Sequence, residues 1–117
     1  MIVDDQSDIR ALIRLLIELA NGGLEVACEA ASGDEALALL DKCEPNVVVL
    51  DEMMPGMNGI EVATCIAERY PALRVILCSA YLDDDVTRRA ELAGVTAFVH
   101  KDDIRRIPDL IRDLAPA

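Results

Sequence analysis

Four polar segments stand at the ends of apolar runs, and their residue types suit one kind of chemistry. Asp4-Asp5 follow Met1–Val3, Asp51 follows Val47–Leu50, Ser79 follows Val75–Cys78, and Lys101 lies just past Ala97–Val99. Carboxylates brought within several ångströms repel one another and resist ionisation unless a cation sits among them. A few hard oxygen ligands suit Mg²⁺, which keeps several waters and shares its shell with phosphate oxygens. Lys101 would add a second positive charge, and Ser79 a short hydroxyl donor. Together they describe a receptor for a tetrahedral dianion attached to, or beside, one carboxylate. A carboxylate is itself a nucleophile toward phosphorus, giving an aspartyl-phosphate. Metal and lysine would offset the negative charges that otherwise keep nucleophile and phosphoryl group apart.

Such a pocket requires strands that deliver their carboxyl ends to one rim. Short apolar runs at Met1–Val3, Leu24–Ala27, Val47–Leu50, Val75–Cys78 and Ala97–Val99 read as five strands. Between them, apolar residues recur at helical spacing: Ile9, Leu12, Ile13 and Leu16; then Ala36–Leu40; then Ile60, Ala63, Ile66, Ala67 and Tyr70; and finally Ile107, Leu110, Ile111 and Leu114. Ser7, Ser32 with Asp34, and Asp83–Asp85 mark helix starts, and Gly22-Gly23, Pro45, Pro71 and Gly94 mark stops. Pro108 fits the first turn of the last helix. Val86, Ala90 and Ala93 form a thin stripe on the fourth helix, which would bury little area and is the element expected to move. Continuous rather than alternating apolar strands imply burial on both faces, hence a parallel α/β sheet sandwiched by helices. In such sheets ligands sit beyond the carboxyl ends of the strands. The second strand offers no polar group there, which suits an edge position beside the first.

The 117 residues allow one domain, and 53% hydrophobic residues allow a real core, which is aliphatic because aromatics are only 3%. A net charge of −11 disfavours direct nucleic-acid binding. No apolar run approaches the ~18 residues of a membrane span, no signal peptide is evident, and the chain reads as soluble. Cys28, Cys43, Cys65 and Cys78 form no C-x-x-C pair and, with only His100, build no usual zinc site. They are expected to be reduced thiols serving as small buried hydrophobes, consistent with a cytoplasmic protein.

The residues then resemble a known family, the receiver domain of two-component response regulators, over essentially the whole chain 1–117. Asp51-Glu52-Met53-Met54-Pro55-Gly56-Met57-Asn58-Gly59, after Val47–Leu50, is similar to that family's D-x-x-M-P-x-M-[DN]-G. Asp4-Asp5, Ser79-Ala80 and Phe98, three residues before Lys101, are its other anchors. The resemblance implies a flavodoxin-like (βα)5 doubly wound parallel sheet with strand order 2-1-3-4-5. It also implies that Asp51 accepts phosphate from a histidine kinase or phosphotransfer protein. Mg²⁺ would be held by Asp4, Asp5, Asp51 and the Met53 carbonyl. Lys101 would pair with phosphoryl oxygens, Ser79 would move inward to bond one, and the Phe98 rotamer would follow. Met53 and Tyr81, two residues after Asp51 and Ser79, occupy positions that set phosphate lifetime; neither is an acid or a water-orienting amide, so slow self-dephosphorylation is expected.

Two departures matter. Asp102 replaces the proline that usually follows the lysine, so the loop holds either a strained cis bond, costing ~2.5–4 kcal/mol, or a rearranged path. Only three residues precede Asp4, whereas strands average ~5–6; a clipped or alternative start is expected, with upstream residues raising stability. No output domain follows Ala117, so the chain reads as a stand-alone receiver or a fragment. Arg88, Arg89, Arg105, Arg106 and Arg112 cluster in the fourth and fifth helical regions. The resemblance makes the face of helix 4, strand 5 and helix 5 a docking surface for an output domain, a protein partner or a second copy. A phosphorylation-independent interaction module on the same fold is the alternative. A phosphatase fits less well, because Met53 stands where the second catalytic acid belongs. No Gly-rich dinucleotide or P-loop motif occurs, and turnover chemistry is not expected.

Overall fold

The computed structural model describes residues 1–20 and 22–115; Asn21, Pro116 and Ala117, part of the expected 1–117 unit, lie outside the described residues. The elements run β1 (Ile2–Val3), α1 (Ser7–Leu19), β2 (Glu29–Ala30), α2 (Gly33–Cys43), β3 (Val47–Asp51), α3 (Gly59–Arg69), β4 (Arg74–Ser79), α4 (Asp84–Leu92), β5 (Ala97–His100), a 3₁₀ segment (Lys101–Arg106) and α5 (Ile107–Leu114). All strands pair in parallel, in the order β2-β1-β3-β4-β5. This is the expected flavodoxin-like (βα)5 sheet.

The unbroken apolar strands are explained by two cores. Val48 and Leu50 of β3, with Val75 and Leu77 of β4, face Ala36, Leu40, Val62, Ile66, Val86 and Ala90 of α2, α3 and α4. Val47 and Val49, with Ile76, Cys78 and Val99, face Ile13 and Ile17 of α1 and Ile107 of α5. Side chains alternate across a strand, so only apolar residues at every position satisfy both layers.

Several boundaries differ from expectation. The second strand forms at Glu29–Ala30, not Leu24–Ala27, because ladder partners decide it: Ile2 pairs with Glu29 and Val3 with Ala30. Leu24 and Val26 still pack on the α1/α5 core, from the connecting loop. Glu29 is tolerated at the sheet edge because Arg10 and Arg14 of α1 ion-pair with it. Ser7 is the first residue of α1 rather than its cap; Gln6 holds the cap position without a side-chain hydrogen bond. Ser32 and Asp83 do cap α2 and α4, accepting from Glu35 N at 3.1 Å and Val86 N at 2.8 Å. The described peptide bonds are all trans, so the Lys101-Asp102 loop takes the rearranged path. The chain turns directly into the 3₁₀ segment, with Asp102 N–H donating to His100 Nδ1 at 3.0 Å.

The cysteine expectation holds only in part. Cys78 is 1% exposed, with burial pushing its thiol up to about 12, and it is a buried hydrophobe. Cys28 and Cys43 instead form a disulfide with Cα atoms 6.3 Å apart, because parallel pairing of β2 brings the residue before it alongside the end of α2. A 15-residue separation corresponds to about 3 kcal/mol of chain-entropy stabilisation. Reduction, or Cys43→Ser, should therefore lower the unfolding free energy in urea by about that amount; a shift within error would show that the bridge constrains nothing.

The N-terminal ammonium of Met1 is buried and donates to Val47 O at 2.9 Å, the place of a ladder N–H. Burial pushes its pKa down from 8.0 to about 6. The unfolded chain thus binds more protons between those values, and stability falls as pH drops from 8 to 6, by about 2 kcal/mol. A preceding residue would replace the ammonium with an amide that donates the same bond without charge. Such an extension should raise stability at pH 6 and flatten the slope, measured by urea titration at pH 6, 7 and 8.

Candidate functional site

Parallel pairing gathers four strand ends at one rim. Asp4 follows β1, Asp51 ends β3, Ser79 ends β4 and Lys101 follows β5. β3 is buried at every residue, and the Asp51 backbone is in register with Cys78 of β4, one residue past the last position paired with β1. The start of α3 is pressed against this strand end: Gly59 N–H donates to Glu52 O at 2.8 Å, and a Cβ on Gly59 would meet Glu52 Cα at 2.8 Å. Only glycine allows that approach. Asn58 and Glu61 form a reciprocal capping box at 2.9 and 3.1 Å, which fixes where α3 begins. Asp4 is held by Gln6 N–H on its Oδ1 at 2.8 Å and by Arg10 Nη1 on its carbonyl at 2.6 Å.

Carboxylate oxygens of Asp4, Asp5 and Asp51 lie within 4.8 Å of one another. Asp4 and Asp51 are each 1% exposed, while Asp5 is open to solvent. Lys101 Nζ stands 3.0 Å from Asp51 Oδ1 as an ion pair. Neither Asp51 oxygen has a partner in good hydrogen-bond alignment. Burial pushes the Asp51 carboxyl up to about 6; Lys101 opposes that rise and Asp4 adds to it. Burial likewise raises Asp4, against the Gln6 N–H and Lys101. Burial alone would lower the Lys101 ammonium, and the Asp51 and Asp4 carboxylates outweigh it, leaving the lysine above its usual value. Three carboxylates against one ammonium leave room for a divalent cation and then an anion. The unbonded, buried Asp51 oxygens are the kind of hard ligands that Mg²⁺ takes.

Ser79 is brought to the same rim, 1% exposed. Its hydroxyl donates to Glu52 Oε1. The same Oγ accepts from Tyr81 N–H at 2.9 Å and lies 3.1 Å from Tyr81 O. Glu52, 7% exposed, has no forecast in the motif pattern; its one signal is its place directly after a fully buried strand. Met53 and Tyr81 expose their side chains, at 66% and 74%. Phe98 lies opposite Leu77 in the ladder and packs, half-buried, on the core that includes Val86 and Ala90.

A family model for the response regulator receiver domain matches residues 1–112. The protein-glutamate methylesterase/protein-glutamine glutaminase 3 of Hahella chejuensis is 39% identical over 116 residues, 97% of this chain and 33% of that protein. The DNA-binding transcriptional activator DevR/DosR of Mycobacterium tuberculosis is 38% identical over 103 residues, 86% of this chain and 46% of that protein. Among solved structures, the signal receiver domain of NarL from Mycobacterium tuberculosis superposes with TM-score 0.86 at 32% identity, covering 96% of this chain and 90% of that one. The chain thus belongs to the receiver domains of two-component response regulators. It spans less than half the length of these curated relatives. Among the described residues, no helix is long and apolar enough to cross a membrane.

The folded Asp51 carboxyl titrates near 6 against 3.8 for the free group. The stability it contributes is therefore complete below pH 3.8 and lost as pH rises through 6. In the absence of divalent ions, Asp51→Asn should be the more stable protein at pH 7.5, by about 3 kcal/mol. That advantage should vanish toward pH 4. Equal urea midpoints at pH 7.5 would contradict the charge crowding.

Proposed function

We propose that residues 1–117 act as one phosphoacceptor receiver, with Asp51 as the residue phosphorylated by a histidine kinase or phosphotransfer protein. The carrying observation is the Asp51 carboxylate: buried, free of hydrogen bonds, and set between Lys101 and the acidic pair. Receiver domains typically bind Mg²⁺ at an acidic pocket, and the donor set here fits it, with Asp4, Asp5, Asp51 and the Met53 carbonyl as the residues that would hold the ion. Bound Mg²⁺ would supply positive charge between the carboxylates and the incoming phosphoryl oxygens.

Asp51 attacks the phosphorus of a phosphohistidine. An oxygen–phosphorus bond forms, the nitrogen–phosphorus bond breaks, and the released imidazole takes a proton from solvent. Lys101 pairs with a phosphoryl oxygen, and Ser79 turns its hydroxyl to another. Phe98 follows Ser79, and the face of α4, β5 and α5 changes its affinity for an output domain, a protein partner or a second copy. Phosphate shifts this equilibrium only through its differential affinity for the two states. Self-catalysed phosphotransfer and hydrolysis are the only reactions assigned, and neither nucleic acid nor membrane is a direct partner. The setting is cytoplasmic, where reductants would act on the Cys28–Cys43 bridge.

Treatment with acetyl phosphate and Mg²⁺ should add one phosphoryl mass to the native protein and none to Asp51→Asn, read by intact-mass spectrometry. The adduct should decay slowly, and faster when Met53 and Tyr81 are replaced by small polar residues. An adduct that forms equally on Asp51→Asn would sink the proposal.

A further inference from the structure

Glu52 is a buried carboxylate that belongs neither to the acid triad nor to any core. Its backbone is pinned on both sides, N–H to Cys78 O at 3.0 Å and carbonyl to Gly59 N–H at 2.8 Å. Among the described residues, no ion pair involves it. What it does hold is Ser79, whose hydroxyl donates to Glu52 Oε1. A serine has one hydroxyl proton. Tyr81 O, at 3.1 Å, is a neutral competitor for it, and charged acceptors make the stronger bond. The Ser79 proton is therefore committed to Glu52 and unavailable to a group on Asp51.

We propose that Glu52 is a positioning residue that holds Ser79 in the unphosphorylated arrangement and so sets the threshold of the switch; this rests on the phosphoacceptor reading above. A phosphoryl oxygen on Asp51 must take the same proton from the Glu52 carboxylate before Ser79 can serve it. Two acceptors for one proton make the two arrangements mutually exclusive. Glu52→Gln keeps the size and an acceptor oxygen but removes the charge, so the holding bond weakens and the active arrangement is reached more easily.

Beryllofluoride with Mg²⁺, a phosphoryl mimic, is the probe. Glu52→Gln should bind it about tenfold more tightly than the native protein, equivalent to about 1.4 kcal/mol. Removing a negative charge would by itself favour an anion, so the comparison is repeated in a Ser79→Ala background. There the gain from Glu52→Gln should disappear, because no hydroxyl remains to be released. Without beryllofluoride, the Tyr81 amide resonance of Glu52→Gln should also move part-way toward its position in the loaded native protein, since that N–H bonds Ser79 Oγ. Glu52→Ala, checked for folding by its amide spectrum, should show the same direction of both effects. A gain that persists unchanged with Ser79→Ala, or no gain at all, overturns the role of Glu52. Failure of the native protein to bind beryllofluoride overturns the phosphoacceptor reading itself.

Discussion

A carboxylate that is 1% exposed, makes no hydrogen bond and has two further carboxylates within 4.8 Å is short of positive charge. One ammonium at 3.0 Å cannot supply it all. At an effective dielectric near 20, two unit charges 4 Å apart interact by about 4 kcal/mol. A single attraction of that size offsets a single repulsion of that size, and the second repulsion remains. The deficit follows from topology: parallel strands must end on the same side, and two of these ends, those of β1 and β3, supply the three acids. The excess of negative charge is present before any ligand is considered.

The rest of the fold keeps that unfavourable arrangement from relaxing. Asp51 cannot swing into water because β3 is the middle strand, buried throughout and paired on both sides. The side chains of α2 and α3 on one face, and of α1 and α5 on the other, fix the layer spacing. Gly59 closes the last gap by bringing α3 onto the Asp51–Glu52 backbone. On the remaining side stands α4, whose buried residues are only Val86 and Ala90. Small side chains bury little area, and elements so anchored open most cheaply. The site is rigid around the carboxylate and soft around the serine.

How much of this could be read from residue order depended on whether a local pattern or a distant partner decided the outcome. Asp4, Asp51, Ser79 and Lys101 were legible because each stands where an apolar run stops, and parallel strands make such stops converge. The α4 stripe was legible for the same local reason. The second strand was not: Leu24–Ala27 has the apolarity of a strand, but β1 offers ladder partners only to Glu29 and Ala30. The Cys28–Cys43 bridge depends on α2 folding back beside β2, which no spacing of cysteines reveals. Glu52 escaped notice because a charged residue after a strand ordinarily faces water, and only the three-dimensional closeness of Ser79 gives it a buried partner.

The soft side is joined to the rigid side by very few atoms. Ser79 Oγ accepts the Tyr81 N–H, so the serine cannot turn without altering the bonding of the segment that follows β4. Two residues beyond Tyr81, Asp83 caps α4 through Val86 N–H, and Val86 is one of the two side chains that anchor that helix. Phe98 packs on the same core as Val86 and Ala90, which places β5 beside α4 in that core. In the phosphoacceptor reading proposed above, a change in hydrogen bonding at one hydroxyl would reach α4 through backbone, cap and anchor within a few residues. That reading needs no long-range network, because α4 begins five residues after Ser79.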